Sequence, residues 1–110
     1  MRGDELATRL LEFAARVMKM MSAMPKTMAG RHIAGQLFRS STSAGANYEE
    51  ARAAESRSDF IHKLALVWKE IRESCYWLKL IHHAQVIKPI LVEALLKSRM
   101  NCHESWRSPC

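Results

Sequence analysis

Asp59 and His62 are spaced as a carboxylate-x-x-His pair, the unit that di-iron helical bundles turn inward. That chemistry needs two such pairs and further carboxylates, and this chain offers one, so Asp59 is better explained as a helix-start acid. Gly30 and Gly35 have the glycine spacing of a phosphate-binding loop, but no Lys-Ser/Thr follows and no strand precedes. Cys102, His103 and Cys110 are metal-ligand types, yet they sit in a segment without period and lack a fourth ligand. No Ser/His/Asp set can be assembled on these spacings. His62, His82 and His83 read as surface residues, the last two suited to the negative end of a helix dipole. The expectation is a protein that is not an enzyme and needs no cofactor or metal.

Charge is more informative. Lys and Arg number 17 against 11 Asp and Glu, a formal +6 that favours acidic partners such as nucleic acid. Candidate phosphate contacts, chosen because helical faces expose them, are Arg9, Arg16, Lys19, Arg52, Arg57, Lys63, Arg72 and Lys79. Trp68, Tyr76 and Trp77 lie among Lys63, Lys69, Arg72 and Lys79, an interleaving that can stack bases and hold phosphates. Aromatic residues at helical spacing are more often core or subunit contacts, and Trp68 and Trp77 are assigned to an oligomer interface. Arg39, with Asn47 and Tyr48 two turns on, is placed to form a polar network between helices. Two functions stay open: an oligomer that binds RNA, DNA or a nucleoprotein, and an adaptor for a protein partner whose charge is incidental.

The elements that must position these groups are helices. The 110 residues are 48% hydrophobic with only 4 Gly and 3 Pro, too few turn residues for a sandwich or barrel. Leu6, Leu10, Phe13, Val17, Met20 and Met24 form a seam of period 3.5 over 4–24, widened by Leu11, Ala14, Met18 and Met21, with Asp4 as N-cap. Met18, Met20, Met21, Met24 and Met28 form a soft cluster, most simply core filling. Pro25 stops that helix, and Thr27 caps a second over 27–55. The run Ser40–Ala46 looks locally like a loop, but Ala44, Ala51 and Ala54 carry the helical pattern through it, so one long helix with a small-residue face is expected. Ser56 and Asp59 open a third helix over 58–84, whose two adjoining apolar seams exceed what one neighbour covers. Lys88-Pro89 opens a fourth over 89–100, with Ile90, Leu91, Ala94 and Leu95 as its apolar face. Asn101 closes the domain at 1–101, and 102–110 is an irregular tail. Short links make this an all-α, antiparallel up-and-down four-helix bundle. No apolar stretch is long enough to cross a membrane, and the acidic start lacks an export signal, so a cytoplasmic protein with reduced cysteines is expected.

The run Gln36 to Ala51, with Arg39, Ser40, Thr42, Ser43, Gly45, Asn47, Tyr48 and Glu49, resembles the signature of small bacterial four-helix proteins encoded in intervening sequences of 23S ribosomal RNA genes. Asp59 and Phe60, then Tyr76 and Trp77, continue the match, which covers roughly residues 6–84. The resemblance implies a left-handed bundle assembled as a homopentamer, with no enzymatic activity. Relatives include basic accessory proteins of diversity-generating retroelements, which makes a reverse transcriptase one candidate partner. The fading period after Leu96 departs from the longer fourth helix of that family.

Overall fold

In the computed structural model, which describes residues 2–97, four helices account for most of the chain: α1 (Arg2–Met21), α2 (Met28–Arg52), α3 (Arg57–His83) and α4 (Pro89–Leu96). No strand occurs among the described residues. Residues 98–110 lie outside them, and with them the last turn expected of helix 4, the Asn101 cap and the tail.

Local chemistry sets the helix starts. The Thr27 hydroxyl accepts from the Gly30 N–H at 3.1 Å, and the Ser56 hydroxyl from the Asp59 N–H at 3.1 Å. Asp4 is not a cap: α1 begins at Arg2, which leaves Asp4 in the first turn, where its carboxylate meets Arg52 of α2. Helix ends fall earlier than the apolar pattern implied. α1 stops at Met21, because Pro25 bars helical geometry at Met24 and the chain tightens beforehand, with the Ala23 N–H bonded to the Met20 carbonyl at 2.9 Å. α2 stops at Arg52 and not near Glu55. The run Ser40–Ala46 lies wholly inside α2, because its hydroxyls bond the helix's own carbonyls: Ser41 to Phe38 at 3.1 Å and Thr42 to Phe38 at 2.8 Å.

Close approaches give the helix directions. Asp4 with Arg52, and Leu10 with Gly45, run α1 and α2 antiparallel; His32 with Trp77, and Arg39 with Glu70, do so for α2 and α3. α2 packs most extensively on α3 and next on α1, while α4 touches both α3 and α1, closing the ring. The core is Leu10, Phe13, Val17, Met20 and Met24 from α1 and its following turn, Leu37, Ala44 and Tyr48 from α2, Val67, Ile71, Leu78 and Ile81 from α3, and Val92 and Leu95 from α4. The apolar face of α4 is therefore Val92 and Leu95, because Ile90 is 73% exposed and Leu91 also reaches solvent. Leu11 (72% exposed) and Met18 (57%) stand outside the seam they were expected to widen, since α2 and α4 cover only the Leu10–Val17 stripe. Met28 is exposed too, so of the methionine cluster Met20 and Met24 fill the core, Met21 packs half-buried against it, and Met18 and Met28 stand in solvent. Cys75 is buried in the core, and the other two cysteines, Cys102 and Cys110, lie outside the described residues.

Candidate nucleic-acid interface

The eight candidate cations do not form one patch. Three are occupied by acids: Arg9 by Glu5 at 2.7 Å, Lys63 by Asp59 at 3.8 Å, and Arg52 by Asp4, with Glu49 at 3.9 Å. Lys79 is half-buried, and burial lowers its pKa. Arg16, Lys19, Arg57 and Arg72 are exposed and make no ion pair among the described residues.

Topology gathers a different set. Because consecutive helices alternate in direction, the α1–α2 and α3–α4 turns share one end of the bundle. Lys19, Lys26, Arg31 and Lys88 are exposed there, with Lys79, His32, His82 and His83 beside them. The one acid at that end among the described residues is Glu93, whose carboxylate lies 3.2 Å from His82 Nε2. The opposite end carries Asp4, Glu5, Glu49, Glu50, Glu55 and Asp59, largely balancing its cations. Lys26, Arg31 and Lys88 were absent from the sequence-derived set. The signal was their place in or next to the two turns, readable only once both turns were known to share an end.

Between the ends, a polar seam joins α2 to α3. Ser40 and Ser74 are fully buried with their hydroxyls 2.8 Å apart, which lets the two backbones approach closely. On the rim of that seam Arg39 donates to Glu73 and, at 3.4 Å, to Glu70. The Arg39 hydrogen bond is the main reason the Glu73 carboxyl sits below the ordinary carboxylate range, with a further bond from Trp77 Nε1 at 3.0 Å. Trp77 is half-buried and meets His32 edge-on at 6.0 Å. Trp68 is half-buried against the core. Neither is among the large exposed apolar side chains, which include Leu11, Met18, Phe60, Ile61 and Tyr76.

The run that carries the resemblance holds structural positions. Asn47 Nδ2 donates to the Ser43 carbonyl at 2.9 Å and not across helices, Tyr48 is buried, and Gly45 faces Leu10 of α1. An open groove of about 520 Å³ runs between α1 and α2, with Leu11 on one wall and Thr42, Gly45 and Ala46 on the other. Its charged residues, Asp4, Glu49 and Arg52, are engaged with one another. Among the described residues no three His, Cys, Asp or Glu side chains come together as a metal site, and no helix is long and apolar enough to cross a membrane.

Against this geometry, the sequence pattern of the family described as 23S rRNA-intervening sequence protein matches residues 5–104. A similar solved structure, at 1.70 Å, is a protein of unknown function from the S23 ribosomal protein family of Bacteroides thetaiotaomicron. It shares 33% identity with a TM-score of 0.75, over 92% of this chain and 88% of that one. No curated protein matches.

Proposed function

The chain belongs to the 23S rRNA-intervening sequence protein family, and from that premise we propose that it is a non-enzymatic cytoplasmic protein that self-associates and binds nucleic acid electrostatically. The observation that supports this reading is the one-sided charge: a bundle end with Lys19, Lys26, Arg31 and Lys88 exposed and a single acid among the described residues, in a chain of net +6. Such an end attracts a phosphate backbone by releasing condensed counterions, and phosphate contacts carry no sequence information. Binding is therefore insensitive to sequence and strongly salt-dependent. If about five phosphates are neutralised on duplex DNA, log K falls against log salt with a slope of roughly −4.

Self-association draws on the apolar side chains a monomer leaves in water. Leu11, on the wall of the α1–α2 groove, and Met18, two turns further along α1, are exposed, and burying them in a subunit contact removes that exposure. The family resemblance implies five subunits. Filter binding of labelled RNA at about 50 mM salt, where phosphate contacts are strong, with light scattering for mass, tests both parts. Retention that vanishes as salt rises supports nucleic-acid binding. No retention at low salt overturns it and leaves an adaptor, with the Leu11–Met18 stripe as the seat for a protein partner; a monomer at micromolar concentration overturns self-association.

A further inference from the structure

We propose that the outer ridge of α3 is a track for single-stranded nucleic acid, with Tyr76 as its stacking platform and Lys69 and Arg72 as its phosphate contacts. This rests on the nucleic-acid reading above and narrows it to a strand class and a site.

Lys69, Arg72, Tyr76, Lys79 and His83 follow one another at steps of 3, 4, 3 and 4, which places them on one stripe of the helix. That stripe is turned away from the buried Val67, Ile71 and Leu78 and contains no acid. Lys69, Arg72, Tyr76 and His83 are exposed. Glu73, the acid on its shoulder, is already engaged by Arg39 and Trp77. At 1.5 Å per residue the stripe is about 21 Å long, the reach of a short single-stranded segment.

Tyr76 separates a single strand from a duplex. Its side chain is 52% exposed in the middle of the basic stripe, where a core role cannot account for it. It meets Trp77 at 5.2 Å with the ring planes 72° apart, an edge contact that orients the Tyr76 ring without sandwiching it. Trp77 is in turn held by Glu73 and His32, so little ordering remains when a base arrives. A protruding ring with Arg72 one turn away and Lys69 two turns away can stack on an unpaired base, whereas bases inside a duplex present no free face.

The test is fluorescence anisotropy with a labelled twelve-nucleotide oligo(A) RNA and a twelve-base-pair RNA duplex, at low salt. With Tyr76→Ser the Kd for oligo(A) should rise about tenfold, within what loss of one base–aromatic stack gives, while the duplex Kd stays within about twofold. Tyr76→Phe keeps the ring and should bind oligo(A) like the wild type. Tyr76 is half exposed, so a melting temperature unchanged in Tyr76→Ser accompanies the expected result. Oligo(A) binding unchanged in Tyr76→Ser overturns the track. So does an equal loss for both ligands, or a wild type that holds the duplex and not oligo(A); in each of these the broader nucleic-acid reading survives. A wild type that binds neither ligand rejects both.

Discussion

Replacing Gly30 by Ala should destabilise the bundle, whereas the same change at Gly35, five residues on in the same helix, should stabilise it. A Cβ at Gly30 would stand 2.3 Å from the Pro25 carbonyl oxygen and 3.1 Å from Thr27 Oγ1. Since such contacts stay above 3.0 Å, the turn would have to open by about 0.7 Å. The obstacle is backbone, in a turn held by Pro25 and by the Thr27 cap, so no flexible side chain can yield instead. Overpacking of this kind costs about 1–3 kcal/mol. Displacing the cap adds about 1 kcal/mol. Ala's helix propensity returns about 1 kcal/mol, leaving a net loss of about 1–3. At Gly35 nothing lies within 4 Å, so only the propensity gain applies. In a domain of this size 1 kcal/mol moves Tm by roughly 4–8 °C. Gly30→Ala should therefore melt about 4–24 °C below the wild type and Gly35→Ala about 4–8 °C above it, followed by far-UV circular dichroism. A rise in both would refute the collision at Pro25; a fall in both would refute the open space at Gly35.

Three further outcomes follow from single contacts. The Glu73 carboxyl is held below its ordinary range chiefly by the Arg39 hydrogen bond, so its stabilisation is complete above the unfolded carboxylate pKa and is lost as pH falls through the lowered folded value. Glu73→Gln should flatten the acid limb of stability against pH in urea titrations, and an unchanged limb would count against the bond. Ser40→Leu forces a large side chain between α2 and α3 and strips Ser74 of its 2.8 Å partner, an expected loss of ~2–4 kcal/mol by urea unfolding, where a loss under about 1 would show a looser seam than the hydroxyl contact implies. Gln85 follows α3 at φ 55°, inside a C-terminal motif in which the Val86 N–H bonds the Ile81 carbonyl at 3.1 Å; Gln85→Gly should gain about 1 kcal/mol, and no gain would mean that the side chain compensates for its backbone.

Much of this fold is legible because helices announce themselves locally. The period of 3.5 places Leu10, Phe13, Val17 and Met20 on one stripe, and the Thr27 and Ser56 hydroxyls mark helix starts without reference to anything distant. The end of α3 was legible from His82 and His83, although the positive-φ residue after it, normally a glycine, is Gln85. Leu11 and Met18 misled for another reason: an apolar side chain one position off the seam looks like a wider core until the neighbours are known to cover only the seam. The site was harder still. Lys26 and Lys88 are 62 positions apart in sequence, and only the antiparallel order brings their turns to one end.

That basic end also departs from what helix stability favours. Acids stabilise a helix start and bases a helix finish. α1 and α3 obey, opening on Asp4, Glu5 and Asp59 and closing on Lys19, His82 and His83. α2 and α4 begin at the same end where α1 and α3 finish, so the rule would set acids there to balance those bases. Both have none in the first turn, with Arg31 in that of α2 and Lys88 as the N-cap of α4. The like charge at these two starts costs stability, and local concessions of this kind gather where function requires them. Arg31→Glu should therefore act in opposite directions on the two properties. It should stabilise the fold by about 0.3–1 kcal/mol through the dipole, read from the urea midpoint, and lower RNA affinity at low salt. If instead RNA affinity holds while stability rises, the basic end is not the contact; if stability falls, the dipole account of its origin is wrong.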